Sequence, residues 1–214
     1  MTPPFYSIPL KTKNLWAAQM TKWGTLEGCI ETLSKNYPSP PTVVLMDQVH
    51  SSTATRFEAE GTDRFSAVSP IQLPSTDAVW TTEPNTLIAV RTADCLPLLI
   101  AHESGLIGGV HAGRKGTENF IVQKTLSQIC DFLGLKTGFE LVVGPFICKN
   151  CYQIDPIHDL HYDLWTENQK QWNAVLQDPT LLRLEFCTAC NHDQFFSYRK
   201  GDACDRQYSF IGKV

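Results

Sequence analysis

The stretch Thr92-Ala93-Asp94-Cys95-Leu96-Pro97 sets a carboxylate beside a thiol, in a short break between the apolar runs Leu87-Ile88-Ala89-Val90 and Leu98-Leu99-Ile100-Ala101. Each run has the length and aliphatic composition of a buried strand. A polar break between such strands presents its side chains from a rigidly held loop. Two histidines stand in similar places: His50 closes the run Val43 to Val49, and His111 follows Gly108-Gly109-Val110. Imidazole nitrogen and thiolate sulfur suit zinc, with copper as a softer alternative. Three ligands, His50, Cys95 and His111, would leave one tetrahedral position for water or substrate, the catalytic rather than the closed structural arrangement. The competing reading is packing. Cysteine often serves as a small buried hydrophobe, and the separations match no standard ligand motif.

Three further groups could carry chemistry. Ala112-Gly113-Arg114-Lys115-Gly116-Thr117 joins a strand to a helix, where close backbone approach, free N–H groups and two cations could hold phosphate. A flexible loop with two solvated cations fits the same residues. Cys148-x-x-Cys151 and Cys187-x-x-Cys190 have the form of a four-cysteine zinc site, although the gap between the pairs exceeds that of compact zinc ribbons. His158-x-x-His161, with Asp155, Asp159 and Asp163 around it, is expected on an exposed helix face.

The elements that must position these residues follow from periodicity. Residues 1–24 are poorly patterned, with Trp16 and Trp23 as expected packing anchors. Leu26, Ile30 and Leu33 predict a short helix, stopped by Tyr37-Pro38-Ser39-Pro40-Pro41. Val43 to Val49 predicts a strand ending at His50, and residues 51–76 a surface excursion. Asp77 to Thr82, Leu87 to Arg91, Pro97 to His102 and Leu106 to Val110 are strand candidates. Val122, Leu126, Ile129 and Leu133 predict a helix capped at Thr117, with Glu118 in its first turn and Gly134 as its stop. Glu140 to Val143 is a strand, and 157–177 a helix burying Leu160, Leu164 and Trp172. The alternation of Leu182, Leu184 and Phe186 and the segment Tyr208 to Ile211 give two more strands. Strands and helices mix without a βαβ rhythm, which predicts an α+β class.

Composition narrows the function. A chain of 214 residues with 43% hydrophobic and 19% charged residues can bury one sizeable core, so a single domain over 1–214 is expected. The net charge of −4, without a basic stripe, argues against nucleic acid. No apolar stretch nears the roughly 20 residues needed to cross a bilayer. Met1 to Leu10 lacks the charged start of a signal peptide, so the eight cysteines are expected reduced, in the cytoplasm. A monomer is the default assembly.

Taken together, Gln48-Val49-His50, Thr92-Ala93-Asp94-Cys95-Leu96-Pro97 and Val110-His111-Ala112-Gly113 resemble the signature motifs of the YfiH-type proteins, also called laccase-domain, polyphenol-oxidase-like or peptidoglycan-editing-factor proteins. Thr76-Asp77-Ala78-Val79-Trp80-Thr81, Gly144-Pro145, Cys151-Tyr152-Gln153-Ile154, Cys187-Thr188, Phe196-Ser197-Tyr198-Arg199 and Arg206 agree in the same order. The resemblance covers about residue 40 to the end and leaves 1–40 as a divergent N-terminal part. It implies a four-layer αββα sandwich with mixed sheets. It also implies Zn²⁺, or Cu²⁺, on His50, Cys95 and His111. The implied activities are phosphorolysis of adenosine, inosine, guanosine or methylthioadenosine and deamination of adenosine; older family names imply phenol oxidation. In the family pattern Cys151 and Cys187 recur but Cys148 and Cys190 do not, so a second zinc site is not expected. Where the family reads His-Ala-Gly-Trp-Arg-Gly, this chain has Arg114 for the tryptophan and Lys115 for the arginine, losing an aromatic wall and a bidentate fork. Asp205 replaces the usual glycine before Arg206.

The leading expectation is a metal-dependent purine nucleoside phosphorylase that also deaminates adenosine, with purine nucleoside and phosphate as its partners. Cys95, Asp94 and His111 are the expected catalytic residues. Arg91, Arg114, Lys115, Tyr198 and Arg199 are expected to bind substrate, against plain packing and surface roles. One alternative is a cysteine hydrolase or amidase of cell-wall precursors, with Cys95 as nucleophile and His111 as base. The other is a metal-binding scaffold without catalysis. Phenol oxidation ranks last, since one His2Cys site does not by itself supply a multicopper relay.

Overall fold

The computed structural model describes residues 3–59 and 70–214. In chain order the elements are β1 (Phe5–Ile8), β2 (Leu15–Met20), α1 (Leu26–Ser34), β3 (Thr42–Met46), β4 (Ala54–Arg56), β5 (Ile71–Leu73), β6 (Ala78–Thr81), β7 (Thr86–Thr92), β8 (Leu96–His102) and β9 (Ile107–Ala112). There follow α2 (Arg114–Glu118), α3 (Ile121–Leu133), β10 (Phe139–Val143), β11 (Gln153–Asp155), β12 (Leu160–His161), α4 (Leu164–Asn173), β13 (Thr180–Arg183) and β14 (Gln207–Lys213). Among the described residues the strands form two mixed six-stranded sheets, ordered β1-β2-β14-β7-β3-β5 and β13-β10-β8-β9-β6-β4, beside a small β11–β12 hairpin.

Alternation along the central strands explains the layers. In β7, Leu87 and Ala89 pack with Cys29 and Leu33 of α1, while Ile88 and Val90 face the other sheet. In β8, Leu99 and Ala101 face inward, while Leu96, Leu98 and Ile100 pack with Val122, Leu126 and Ile129 of α3 and Trp172 of α4. A strand buried on both faces needs apolar residues at every position, which is why these segments read as unbroken apolar runs. The result is helix, sheet, sheet, helix: the α+β, four-layer αββα sandwich that the resemblance implies. At Gly109 a Cβ would lie 2.7 Å from Val90 Cγ2 and 2.9 Å from Ile88 Cγ2, so only glycine lets the two sheets approach here.

Several expectations need correction. Residues 1–24 carry two strands; β2 was hidden because Gln19, buried between its apolar neighbours, breaks the pattern while accepting from Ser209 Oγ at 2.6 Å. Trp16 does pack, edge-on to Tyr37, but Trp23 is 66% exposed. β3 ends at Met46, four residues before His50, and Val49 is exposed. Thr117 lies inside the short α2, while Phe120, in the left-handed conformation, stands at the N-cap of α3. Gly134 ends α3 as predicted. The 157–177 helix begins only at Leu164, capped by Asp163; Leu160 is exposed in β12. His158 lies in the turn of the β11–β12 hairpin and His161 on β12, neither on a helix face, paired with Asp155 and Asp159 respectively. The excursion at 51–76 contains β4 and β5, and its stretch 60–69 lies outside the described residues. Among the described residues no helix is long and apolar enough to cross a membrane.

Candidate metal centre

Asp77, which precedes β6, organises the site. Its carboxylate is fully buried. One oxygen accepts from Ser51 N–H at 2.7 Å, Ser51 Oγ at 2.7 Å and Val49 N–H at 3.3 Å. The other accepts from His50 N–H at 3.1 Å and from His111 Nδ1 at 2.8 Å. These bonds hold the 48–51 loop in a tight bend, with His50 at φ 61°. They also orient the ring of His111, on β9, by engaging Nδ1, which leaves Nε2 as the nitrogen available to a metal. Gln48 completes the loop by clasping the Arg91 backbone with two bonds, 2.6 and 2.9 Å, where β3 has already left the sheet.

Cys95 arrives by a different route. β7 belongs to the first sheet and β8 to the second, so Ala93-Asp94-Cys95 crosses between them. Asp94 takes a left-handed turn at φ 87°. Its carboxylate accepts from Thr188 Oγ1 and from Arg199 N–H, both at 2.7 Å, and its carbonyl accepts from Ile147 N–H at 2.9 Å. Both carboxylate oxygens thus have structural partners. The crossing sets Cys95 Sγ 3.7 Å from His50 Nε2, and the His50 and His111 rings meet edge to face at 4.8 Å. One donor atom from each of His50, Cys95 and His111 lies within 4.8 Å of the other two. A Cβ on Gly113 would sit 2.8 Å from His50 Cδ2 and 3.0 Å from Cys95 Sγ, so glycine is what keeps this cradle open. Two imidazoles, a thiolate and a carboxylate behind one histidine form a donor set fitted to zinc or copper.

The chain matches the multi-copper polyphenol oxidoreductase laccase family over residues 27–159 and 157–213. It belongs to that family. The match begins earlier than the sequence resemblance suggested, at the start of α1. A Campylobacter jejuni relative named purine nucleoside phosphorylase Cj1217c is 29% identical over 78% of this chain and 76% of its own length. The purine nucleoside phosphorylase CA_C1699 of Clostridium acetobutylicum is 31% identical over 64% and 66%. Adenosine deaminase RL5, from an unknown prokaryotic organism, is 25% identical over 74% and 70%. Some relatives are matched over less of their length, such as a Deinococcus radiodurans purine nucleoside phosphorylase at 49%. The solved structure of YlmD from Geobacillus stearothermophilus shares the fold, with a TM-score of 0.77 at 22% identity over 94% of this chain and 92% of that one. So does Neisseria meningitidis NMB0706, at 0.76 and 19%, over 99% of each chain.

In this laccase-family member the three side chains polarise one another strongly. Burial would raise the Cys95 thiol, but the charge of His111 and hydrogen bonds with His111 and His50 outweigh it and bring the pKa to about 6. Burial would lower His111, yet the Cys95 charge and the Asp77 hydrogen bond push it up to about 9. Thiolate is the reactive form. Alkylation of Cys95 in metal-free protein, read by peptide mapping, should therefore proceed fully above pH 6 and fade as pH falls through about 6. A midpoint near the ordinary thiol value of roughly 8.5 would contradict this pairing.

Arg114 begins α2 beside the cradle and lies 3.8 Å from Glu118; Lys115 follows it, exposed. Arg199 lies over the Tyr152 ring at 5.7 Å, and Tyr198 is 65% exposed. Arg91 reaches Tyr208 on the outer side. Sequence reasoning gave no role to Asp77, Thr188 or Tyr152. Tyr152 senses the charges of Cys95, Arg114 and Arg199, which places it close to all three. The signals for Asp77 were an acidic residue directly before an apolar strand and its place in the Thr76–Thr81 stretch that carries the family resemblance. The structure also brings Cys148, Cys151, Cys187 and Cys190 together, with their sulfurs within 4.8 Å of one another, although the resemblance gave no reason to expect a zinc site there.

Proposed function

We propose that this chain is a metal-dependent purine nucleoside phosphorylase, acting on adenosine, inosine, guanosine or methylthioadenosine, with adenosine deamination as a second activity of the same site. The observation that carries the reading is the convergence of His50, Cys95 and His111 behind Asp77, in a chain whose relatives bear these two names. His50, Cys95 and His111 would hold zinc, which supplies Lewis acidity to an oxygen of the substrate or of water. In phosphorolysis a phosphate oxygen attacks C1′ of the ribose, the C1′–N9 bond breaks, and its electron pair leaves on the purine.

The chain's own residues then have separate tasks. Arg114, Lys115 and Arg199 supply positive charge for phosphate at the mouth. Tyr152 offers a ring face to the base, in place of the aromatic residue that Arg114 displaces. Asp94 holds the crossing loop so that Cys95 stays in register with both histidines. Asp77 fixes the tautomer of His111 and the bend that carries His50. The eight unpaired cysteines suit a reducing, cytoplasmic setting.

Zinc-loaded protein incubated with adenosine, with and without phosphate, tests the reading. Adenine that forms only with phosphate is the expected product, and inosine that forms in either condition reports the deaminase activity. A fully metallated protein that yields neither would overturn it. The depressed Cys95 pKa favours one competing reading, a cysteine hydrolase. Turnover of cell-wall precursors by metal-free protein would then replace nucleoside chemistry.

A further inference from the structure

Behind the Asp94 crossing loop, two short turns face each other. Cys148 precedes a 3-10 turn, Lys149–Cys151, on the loop after β10. Cys187-Thr188-Ala189-Cys190 turns on the loop after β13. A parallel bridge between Phe146 and Cys187 lays the turns side by side. All four thiols are unpaired, and Cys151 Sγ lies 3.5 Å from Cys190 Sγ, well beyond the roughly 2.05 Å of a disulfide. In a tetrahedral zinc tetrathiolate with Zn–S bonds of about 2.3 Å, neighbouring sulfurs are about 3.8 Å apart. The four sulfurs here, all within 4.8 Å of one another, are close to that figure.

Packing accounts for the cluster only in part: Cys151 and Cys187 border the core beneath α3 and α4. Cys148, Cys151 and Cys187 are only partly buried and Cys190 is exposed, unlike the core cysteines Cys29 and Cys130. The backbone is also arranged for a charged sulfur. The N–H groups of Cys148 and Cys190 both donate to Cys187 Sγ, at 3.2 and 3.4 Å. Such bonds favour thiolate over thiol and commonly support ligand sulfurs.

We propose that Cys148, Cys151, Cys187 and Cys190 bind a second metal ion, zinc, in a closed tetrathiolate site. Four protein ligands leave no open position, so the ion is structural. It staples the 146–151 turn to the 187–190 turn. Both turns hold the crossing loop of the first centre: Ile147 N–H bonds the Asp94 carbonyl and Thr188 Oγ1 bonds the Asp94 carboxylate. The second ion therefore braces the residue next to Cys95. This inference does not depend on the nucleoside reading.

The test uses full-length protein made with zinc and purified under reductant, with metal measured per chain. Unmodified protein should hold two zinc ions, Cys95→Ala one, and Cys148→Ser/Cys190→Ser no more than one. X-ray absorption of the Cys95→Ala protein should show four sulfur neighbours at about 2.3 Å. Its cobalt-substituted form should show intense thiolate-to-metal charge-transfer bands. Cys95→Ala protein that is free of metal, or that holds iron instead, would overturn the proposal. So would a Cys151–Cys190 disulfide as the native state of unreduced protein. If the double variant fails to fold, the Cys95→Ala measurements still decide.

Discussion

Cys95→Ala should lose the metal of the His50–Cys95–His111 centre and lower kcat/KM for adenosine phosphorolysis by roughly 10³-fold or more, the scale on which a principal electrostatic contributor acts. That is about 4 kcal/mol of transition-state stabilisation. The fold should survive, since Cys95 belongs to none of the core clusters and alanine fits the crossing loop. Far-UV circular dichroism and the thermal midpoint should therefore stay close to those of the unmodified protein stripped of metal, the comparison that excludes the ion's own contribution to stability. A variant that keeps both its full metal content and its full activity would refute the site. Within the metal-free variant, His111 also loses the negative neighbour that raises its pKa, so its titration should move down towards the ordinary imidazole range.

Asp77 should be the most costly position to truncate. Asp77→Ala removes the acceptor for His111 Nδ1, for Ser51 Oγ and for the N–H groups of Val49, His50 and Ser51. Breaking a buried, charge-assisted network of this kind costs roughly 3–5 kcal/mol. Asp77→Asn keeps the shape but turns an amide N–H towards groups that are themselves donors. Its metal affinity should fall about 10–100-fold, as for other carboxylates that orient a ligand histidine.

Acid stability gives an independent check on Asp77. Burial alone would raise this carboxyl, but the hydrogen bonds from His111 and Ser51 outweigh it and hold the pKa at about 2. A depressed folded-state pKa gives stability that is fully present above the unfolded value of about 4 and is lost as pH falls through about 2. The contribution is about 2 kcal/mol. Denaturant titrations of metal-free protein at pH 5 and pH 2.5 should show this loss, and Asp77→Asn should show less of it. An equal acid dependence in both proteins would remove Asp77 from the account.

How much of this was legible in the chain depends on the kind of signal. The runs Leu87–Val90 and Leu98–Ala101 announce strands because both faces are buried, and Val122–Leu133 announces a helix by its period. What no local pattern records is that Leu87 and Leu98 lie in different sheets; the switch at Asp94 is set by long-range pairing with β14 and β9. His50, Cys95 and His111 were visible as donor types at strand ends. Asp77 was not assigned a role, because one acidic residue before a strand has no periodic signature. The two CxxC pairs are plain in the sequence, but the family pattern lacks Cys148 and Cys190, and a long sequence gap does not reveal that β10 and β13 align in parallel and bring the pairs together. Leu160 and Trp23 failed in the opposite way: apolar residues were assigned to an interior that does not reach them.

The passage of the chain from one sheet to the other at Ala93-Asp94-Cys95 has a mechanical consequence. His50 follows a strand of the first sheet, His111 stands on a strand of the second, and Cys95 is the hinge between them. Neither sheet holds the ligand set alone. Donors scattered along an unfolded chain can reach one another only once the two layers have docked, so ion uptake is a late event in folding and reports on interlayer contact. Conversely, a substitution that lets the layers slide, even one as remote as a larger residue at Gly109, acts on the bite of the three ligands without touching any of them.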